Sequence, residues 1–320
     1  MKRALLLILF TLLIQVFGEF TTYDGSNLIS LSYSPNFSYD ATERVCIENF
    51  SQEMISYYSW FASYGYCEDP KVPLLCCQNY LDFFTGTWKI VSSSYIDDYY
   101  EFNYILWRND QYQKYIIAFP GTRNNVVELL NEAANSKLVN YNDNWVKVVN
   151  YFYKVMLAMK DIIFVPEVLS DINAHPGYQF IATGHSLGAS VATLFLYEAV
   201  SKNYISAEIN EPVLITFGQP RTGNKQFVLD FNSKINNYFR VVRDGDIVAN
   251  IPYYLINNPY RHLGGLILLN KEMTSMNYCP QEIGENYPDK ECQKSVSVDV
   301  NYHLFYFNPE TDFSNRCRKS

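Results

Sequence analysis

The chain has 320 residues, a formal net charge of −8 and 48% hydrophobic residues, with 28 Tyr and 21 Phe. That length supplies one large domain or two smaller ones. An acidic balance with no basic stripe gives no general attraction to nucleic acid, so nucleic-acid binding is set aside.

Residues 1–18, MKRALLLILFTLLIQVFG, join a basic start at Lys2 and Arg3 to an apolar run from Ala4 to Leu13, with Val16 and Gly18 near a cleavage point. This is the profile of an export signal. The run is short for a membrane span and no later segment reaches eighteen continuous apolar residues, so no transmembrane anchor is expected. Cleavage after about Gly18 removes Lys2 and Arg3 and leaves 23 basic against 33 acidic residues. The expected destination is the extracellular medium or a secretory or digestive compartment. Cysteines at 46, 67, 76, 77, 279, 292 and 317 suit that compartment, in one group toward each end of the chain. Their spacing alone fixes no pairing. Asn36 and Asn49, each opening an NFS triplet, are glycosylation acceptors on an exported chain. Neither CxxC nor HExxH occurs, so no metal is expected.

Beyond a polar opening, TERVCIENFSQEMISYYSWFASYG predicts a helix starting near Thr42, and a cysteine-rich connection runs to Asn79. Strands are expected in TWKIVSSSYI, NYILWRND and QYQKYIIAFPG. NNVVELLNEAAN has the pattern of a short amphipathic helix, apolar at Val126, Val127, Leu129 and Leu130. WVKVVNYFYKVMLAMKDIIFVPEVLSDINAHPG reads as a longer helix broken or kinked at Pro166. Further strands are expected at Tyr178 to Gly184, Pro212 to Phe217 and Tyr238 to Val242, with a helix at Leu187 to Val200 that presents an apolar face. In VSVDVNYHLFYF, alternating apolar residues approach His303. Strands and helices alternating through the centre predict an α/β sheet covered on both faces, with functional loops at the strands' carboxyl ends.

The strand and helix at 178–200 flank GHSLG, which places Gly184, Ser186 and Gly188 in a GxSxG arrangement. A nucleophile elbow needs this order of buried strand, sharp turn and helix. A serine nucleophile also needs a base and a group to orient it. The chain offers four histidines. His175 precedes a Pro-Gly turn and reads as a surface residue; His185 adjoins Ser186 and reads as packing below the turn. His262 and His303 both follow Asp246 and both satisfy the order nucleophile, acid, histidine. Asp246 lies closest to the apolar IVANIP segment and is the expected partner of the base, with Asp244 as a turn former.

AFPGTRNN, TGHSLGASVATL, ITFGQPRTGN, RVVRDGDIVANIP and YRHLGG, followed by YHLFYF, resemble in content and order the class 3 lipase family, typified by secreted fungal triacylglycerol lipases. The resemblance runs from about Ser51 to Phe307 and implies an α/β-hydrolase fold: a central, mostly parallel sheet flanked by helices, with a short helical lid. It implies one catalytic domain at 19–320 with disulfide-linked terminal extensions. It implies Ser186 as nucleophile, Asp246 as acid and His303 as base, and gives His262 a structural role. Thr122 and Leu187 become the oxyanion-hole donors. Val126, Val127, Leu129 and Leu130 become the apolar face of the lid. The implied disulfides are Cys46–Cys317, Cys279–Cys292, and Cys67 with Cys76 or Cys77. The implied activity is cofactor-free hydrolysis of acylglycerol esters at a lipid–water interface, and no obligate protein partner is indicated. Feruloyl-esterase-like and phospholipase A1 activities are alternatives within the same pattern, and a noncatalytic lipid-binding protein is the alternative of another class.

Overall fold

The computed structural model describes residues 29–31, 58–63, 66, 88–96, 102–122, 135–142, 145–252, 259–279, 297 and 299–307. The expected export signal, Asn36, Asn49, the expected lid residues Val126, Val127, Leu129 and Leu130, and every cysteine except Cys279 lie outside them. Cys279 is disulfide-bonded.

The strands are β1 (Ile29–Leu31), β2 (Trp88–Ile96), β3 (Phe102–Asn109), β4 (Lys114–Phe119), β5 (Leu138–Asn140), β6 (Lys147–Val149), β7 (Gln179–His185), β8 (Val213–Phe217), β9 (Gly223–Asn224), β10 (Asn237–Arg243), β11 (Tyr260–Arg261), β12 (Leu266–Leu269) and β13 (Met276–Cys279). The helices are α1 (Asn150–Ile163), α2 (Pro166–Ala174), α3 (Leu187–Ser201), α4 (Lys225–Lys234) and the single turn α5 (Asn301–Leu304). Among the described residues, a nine-stranded sheet runs β1-β13-β12-β10-β8-β7-β4-β3-β2, and a small second sheet runs β11-β9-β6-β5. From β12 to β4 the neighbours are parallel, and the outer pairings on both sides are antiparallel. This is an α/β-hydrolase fold.

The central strands KYIIAF, QFIATGH and VLITF are almost continuously apolar because helices or loops cover both faces. Their side chains alternate between two layers. Tyr115, Ile117, Phe119, Phe180 and Ala182 pack with α1 and α3, while Ile116, Ala118, Ile181 and Ile215 pack with Phe61 and Tyr306 on the other side. Phe61 meets Trp88 and Trp107 edge-on, at 5.0 and 5.1 Å between ring centres. The registers Phe119 opposite Gly184 and His185 opposite Phe217 bring the carboxyl ends of β4, β7 and β8 level.

Three expectations change. Helix α3 is buried from Leu187 to Val200 rather than along one apolar face, because α1 and α4 pack on the side away from the sheet. Two of its polar side chains are paired inside: Thr193 donates to the Ala189 carbonyl at 2.8 Å, and Ser190 bonds Thr222 at 3.0 Å. The long helix expected from Trp145 onward is instead strand β6 followed by α1 and α2. Lys147–Val149 pair with β5 and β9, and Pro166 opens α2, where its missing N–H costs nothing. The alternating approach to His303 ends in a helical turn, and Asp299 accepts from the Asn301 N–H at 3.0 Å as that turn begins.

Candidate active site

Strand β7 ends at His185 and α3 begins at Leu187, leaving Ser186 alone at the junction with φ 59° and ψ −124°. A non-glycine residue in that region costs on the order of 1–3 kcal/mol and persists only where its surroundings impose it. The Ser186 N–H donates to the Phe217 carbonyl at 2.9 Å, tying the turn to β8. Close approach does the rest. A Cβ at Gly188 would overlap the carbonyls of Phe119 and Pro120, and one at Gly184 would overlap the Gly188 backbone. A serine at a helix N-cap ordinarily turns its hydroxyl onto the first turn. Ser186 does not, and its buried Oγ has no hydrogen-bond partner among the described residues.

His303 is wholly buried, with Nδ1 2.9 Å from Asp246 Oδ2 and 3.1 Å from Oδ1. A carboxylate only accepts, so the Nδ1 proton points at Asp246 and Nε2 keeps its lone pair in the neutral ring. That Nε2 is buried and has no hydrogen-bond partner among the described residues. Asp246 is held from the other side as well. Its Oδ1 accepts from the N–H groups of Val248 and Ala249 at 2.8 and 3.3 Å, and its Oδ2 from the Tyr306 hydroxyl at 2.6 Å. Burial pushes the Tyr306 phenol well above its ordinary range, and the adjacent Asp246 charge and hydrogen bond push it further. Tyr306 is therefore a fixed donor, and its oxygen accepts from the Arg243 N–H at 3.0 Å.

The DGD segment follows β10, with Asp244 inside its turn. The turn is closed by the Asp246 N–H on the Arg243 carbonyl at 3.0 Å, and the Asp246 carboxylate caps the next turn while meeting His303. The Asp244 N–H donates to the Leu269 carbonyl at 2.8 Å, toward β12. Gly218, at φ +56°, follows β8, and a Cβ there would lie 2.8 Å from both Asp246 Oδ2 and His303 Nδ1. Only glycine leaves room for the pair.

Gly121 abuts Ser186, since a Cβ on it would lie 2.8 Å from that of the serine. Thr122 follows, with a buried Oγ1 that has no hydrogen-bond partner among the described residues. Leu187 is the first residue of α3, where a backbone N–H has no acceptor within the helix. The loops after β4, β7, β8 and β10 thus converge at one edge of the sheet, with α5 above them. The structure joins Asp246 directly to His303 and places Ser186, Leu187 and Thr122 on the neighbouring strand ends.

The remaining histidines make other contacts. His262 donates Nε2 to the Ala249 carbonyl at 2.7 Å, bracing the segment that Asp246 caps. His175 is partly buried and bonds the Asp171 carbonyl at 2.7 Å and the Tyr115 hydroxyl at 3.2 Å, near the amino end of β4. His185 is buried beneath the turn. Among the described residues no group of three His, Cys, Asp or Glu side chains is placed to hold a metal. Sequence reasoning passed over Tyr306, Tyr66, Gly121 and Gly218. With 28 Tyr in the chain, composition singled out neither tyrosine, although Tyr306 follows His303 by three residues.

Residues 116–255 match the family model described as Lipase (class 3). That segment spans less than half of the chain. The matched segment contains Ser186 and Asp246 and ends before His303. Among solved structures similar to this chain, lipase II from Rhizopus niveus superposes with a TM-score of 0.69 at 22% identity, over 82% of this chain and 97% of that one. The triacylglyceride lipase of Rhizomucor miehei gives a TM-score of 0.68 at 24% identity, again over 82% and 97%. By sequence, the Rhizopus niveus lipase is 25% identical over 289 residues, covering 88% of this chain and 69% of that protein. Triacylglycerol lipase OBL1 of Arabidopsis thaliana is 34% identical over 119 residues, which span 35% of this chain and only 21% of the plant protein.

Proposed function

We propose that this chain is a class 3 lipase, an exported serine hydrolase that cleaves the carboxylic esters of acylglycerols. One observation carries the chemistry: Asp246 occupies His303 Nδ1, while His303 Nε2 and Ser186 Oγ are buried and have no hydrogen-bond partner among the described residues. In this reading Ser186 Oγ attacks the ester carbonyl carbon as His303 Nε2 takes its proton. Asp246 orients the ring and stabilises the imidazolium. The oxyanion is met by the Thr122 and Leu187 N–H groups and the Thr122 hydroxyl, which act where charge develops. His303 then returns the proton to the departing alcohol. Water, deprotonated by His303, releases the fatty acid from the acyl-serine.

The names of the relatives, triacylglycerol lipase in the plant protein and triacylglyceride lipase in the fungal structure, support acylglycerols as the substrate class. The apolar face at Val126, Val127, Leu129 and Leu130 supports action at a lipid–water interface, with that segment as the lid. The test compares wild type with Ser186→Ala on emulsified long-chain acylglycerol, with lipid binding measured separately. Turnover is expected to rise above the substrate's solubility limit in the wild type. In the variant it should fall by at least about 10⁴-fold with binding retained. Unchanged hydrolysis in Ser186→Ala excludes the nucleophile. Faster turnover of soluble esters with no rise at the interface excludes acylglycerols as the main substrate.

A further inference from the structure

His185 is fully enclosed, and two hydrogen bonds of its ring lead to the machinery around Ser186. Its Nε2 lies 2.9 Å from the main-chain carbonyl of His303, and its Nδ1 lies 2.7 Å from the Tyr66 hydroxyl. The ring stacks on that of His303 at 4.5 Å between centres and 27° between planes, with Tyr306 edge-on at 6.0 Å. A carbonyl can only accept, so Nε2 carries a proton. In the neutral ring Nδ1 then accepts from Tyr66, whose hydroxyl selects this tautomer.

We infer that His185 is a positioning residue that sets His303 relative to Ser186, with Tyr66 holding it in the form that makes the bond. The inference rests on the proposed roles of Ser186 and His303. The nucleophile and the base come from segments far apart in sequence, and their separation governs proton transfer. His185 shortens that path to one peptide bond, to Ser186, and one hydrogen bond, to the backbone of His303. The base is then held at three points. Val300 accepts from its N–H at 2.9 Å, Asp246 accepts from Nδ1, and His185 donates to its carbonyl. Tyr66 extends the brace, because its hydroxyl lies against Gly121, next to Thr122.

A histidine that only fills space predicts a different order of variants. His185→Phe keeps an aromatic ring and loses both hydrogen bonds. His185→Gln loses the ring, but its amide oxygen can accept from Tyr66 and its amide nitrogen can donate to the His303 carbonyl. Positioning predicts that Gln outperforms Phe in activity, whereas packing predicts the reverse.

The experiment measures kcat and KM on a soluble ester, and the rate at which a serine-directed phosphonate labels Ser186, in wild type and both variants. His185→Phe should lose about 10²-fold in kcat and labelling rate with KM within about threefold. His185→Gln should stay within about tenfold of wild type on the same measures. Phe equal to or faster than Gln overturns the inference. Where His185→Phe shows no cooperative unfolding, Tyr66→Phe decides, since it removes one hydroxyl: a slower labelling rate supports the brace and a wild-type rate overturns it. If wild-type Ser186 takes no label, the proposed function itself fails. If wild type is labelled and all variants match it, only this inference fails.

Discussion

Asp246 accepts hydrogen bonds from Val248, Ala249, Tyr306 and His303, so one buried carboxylate serves as both turn cap and histidine partner. A charge without water needs such company. Tyr306→Phe keeps the ring that packs near Phe217 and removes one donor to Asp246 and one acceptor for the Arg243 N–H. The expected loss is about 1–3 kcal/mol in urea unfolding, together with a fall in kcat as the Asp246–His303 pair loosens. A change under about 0.5 kcal/mol would show that the phenol contributes packing alone. Residue chemistry was partly legible beforehand. The GxSxG turn pointed to Ser186, whereas His262 and His303 could not be separated by residue type, because both follow an acid and both are enclosed in the fold.

At the scale of elements, long periodic stretches declared themselves and short ones did not. Strands β2, β3, β4, β7, β8 and β10 and helix α3 were readable as segments of five or more residues, rich in apolar side chains, between turn signals. The two- and three-residue strands β5, β6, β9 and β11 carry no period of their own. Lys147–Val149 was read as helix because VKVV flows into the apolar repeat of α1, while its pairing comes from distant partners. The elbow shows the same dependence on tertiary packing. In an isolated helix, replacing glycine by alanine gains about 1 kcal/mol. Gly188→Ala should do the opposite, since the new methyl group overlaps the Phe119 and Pro120 carbonyls and overpacking costs about 1–3 kcal/mol. The same shift pushes on the loop that carries Thr122, so thermal unfolding should occur at lower temperature and kcat should fall. A variant more stable than wild type would mean that α3 and the loop after β4 are not in contact as described.

The whole molecule is rich in enclosed phenols, and this has a consequence for alkaline stability. Burial pushes Tyr58 up to about 12 and also raises Tyr104, Tyr115, Tyr153 and Tyr260, with Asp171 adding to the shift at Tyr115 and Ser92 opposing it at Tyr104. Burial and the adjacent Asp246 raise Tyr306 as well. In the unfolded chain the same groups ionise near 10. Folded values above unfolded ones give stability that is complete below about pH 10 and is lost as pH rises through the folded values. Lys114, lowered by burial, works in the other direction as a single group. The urea midpoint should therefore fall between about pH 8 and about pH 11, and a midpoint that holds or rises would contradict this balance. None of it was visible from 28 Tyr in the composition, because composition does not say which are enclosed. The account as a whole depends on Ser186 being a nucleophile activated by His303 and Asp246. The most direct measurement is stoichiometric reaction of the intact protein with a serine-directed phosphonate, followed by peptide mapping. The prediction is one label per chain, on the peptide containing Ser186, with hydrolysis lost in proportion to labelling. A label on another serine, or full hydrolytic activity after Ser186 is labelled, would contradict it.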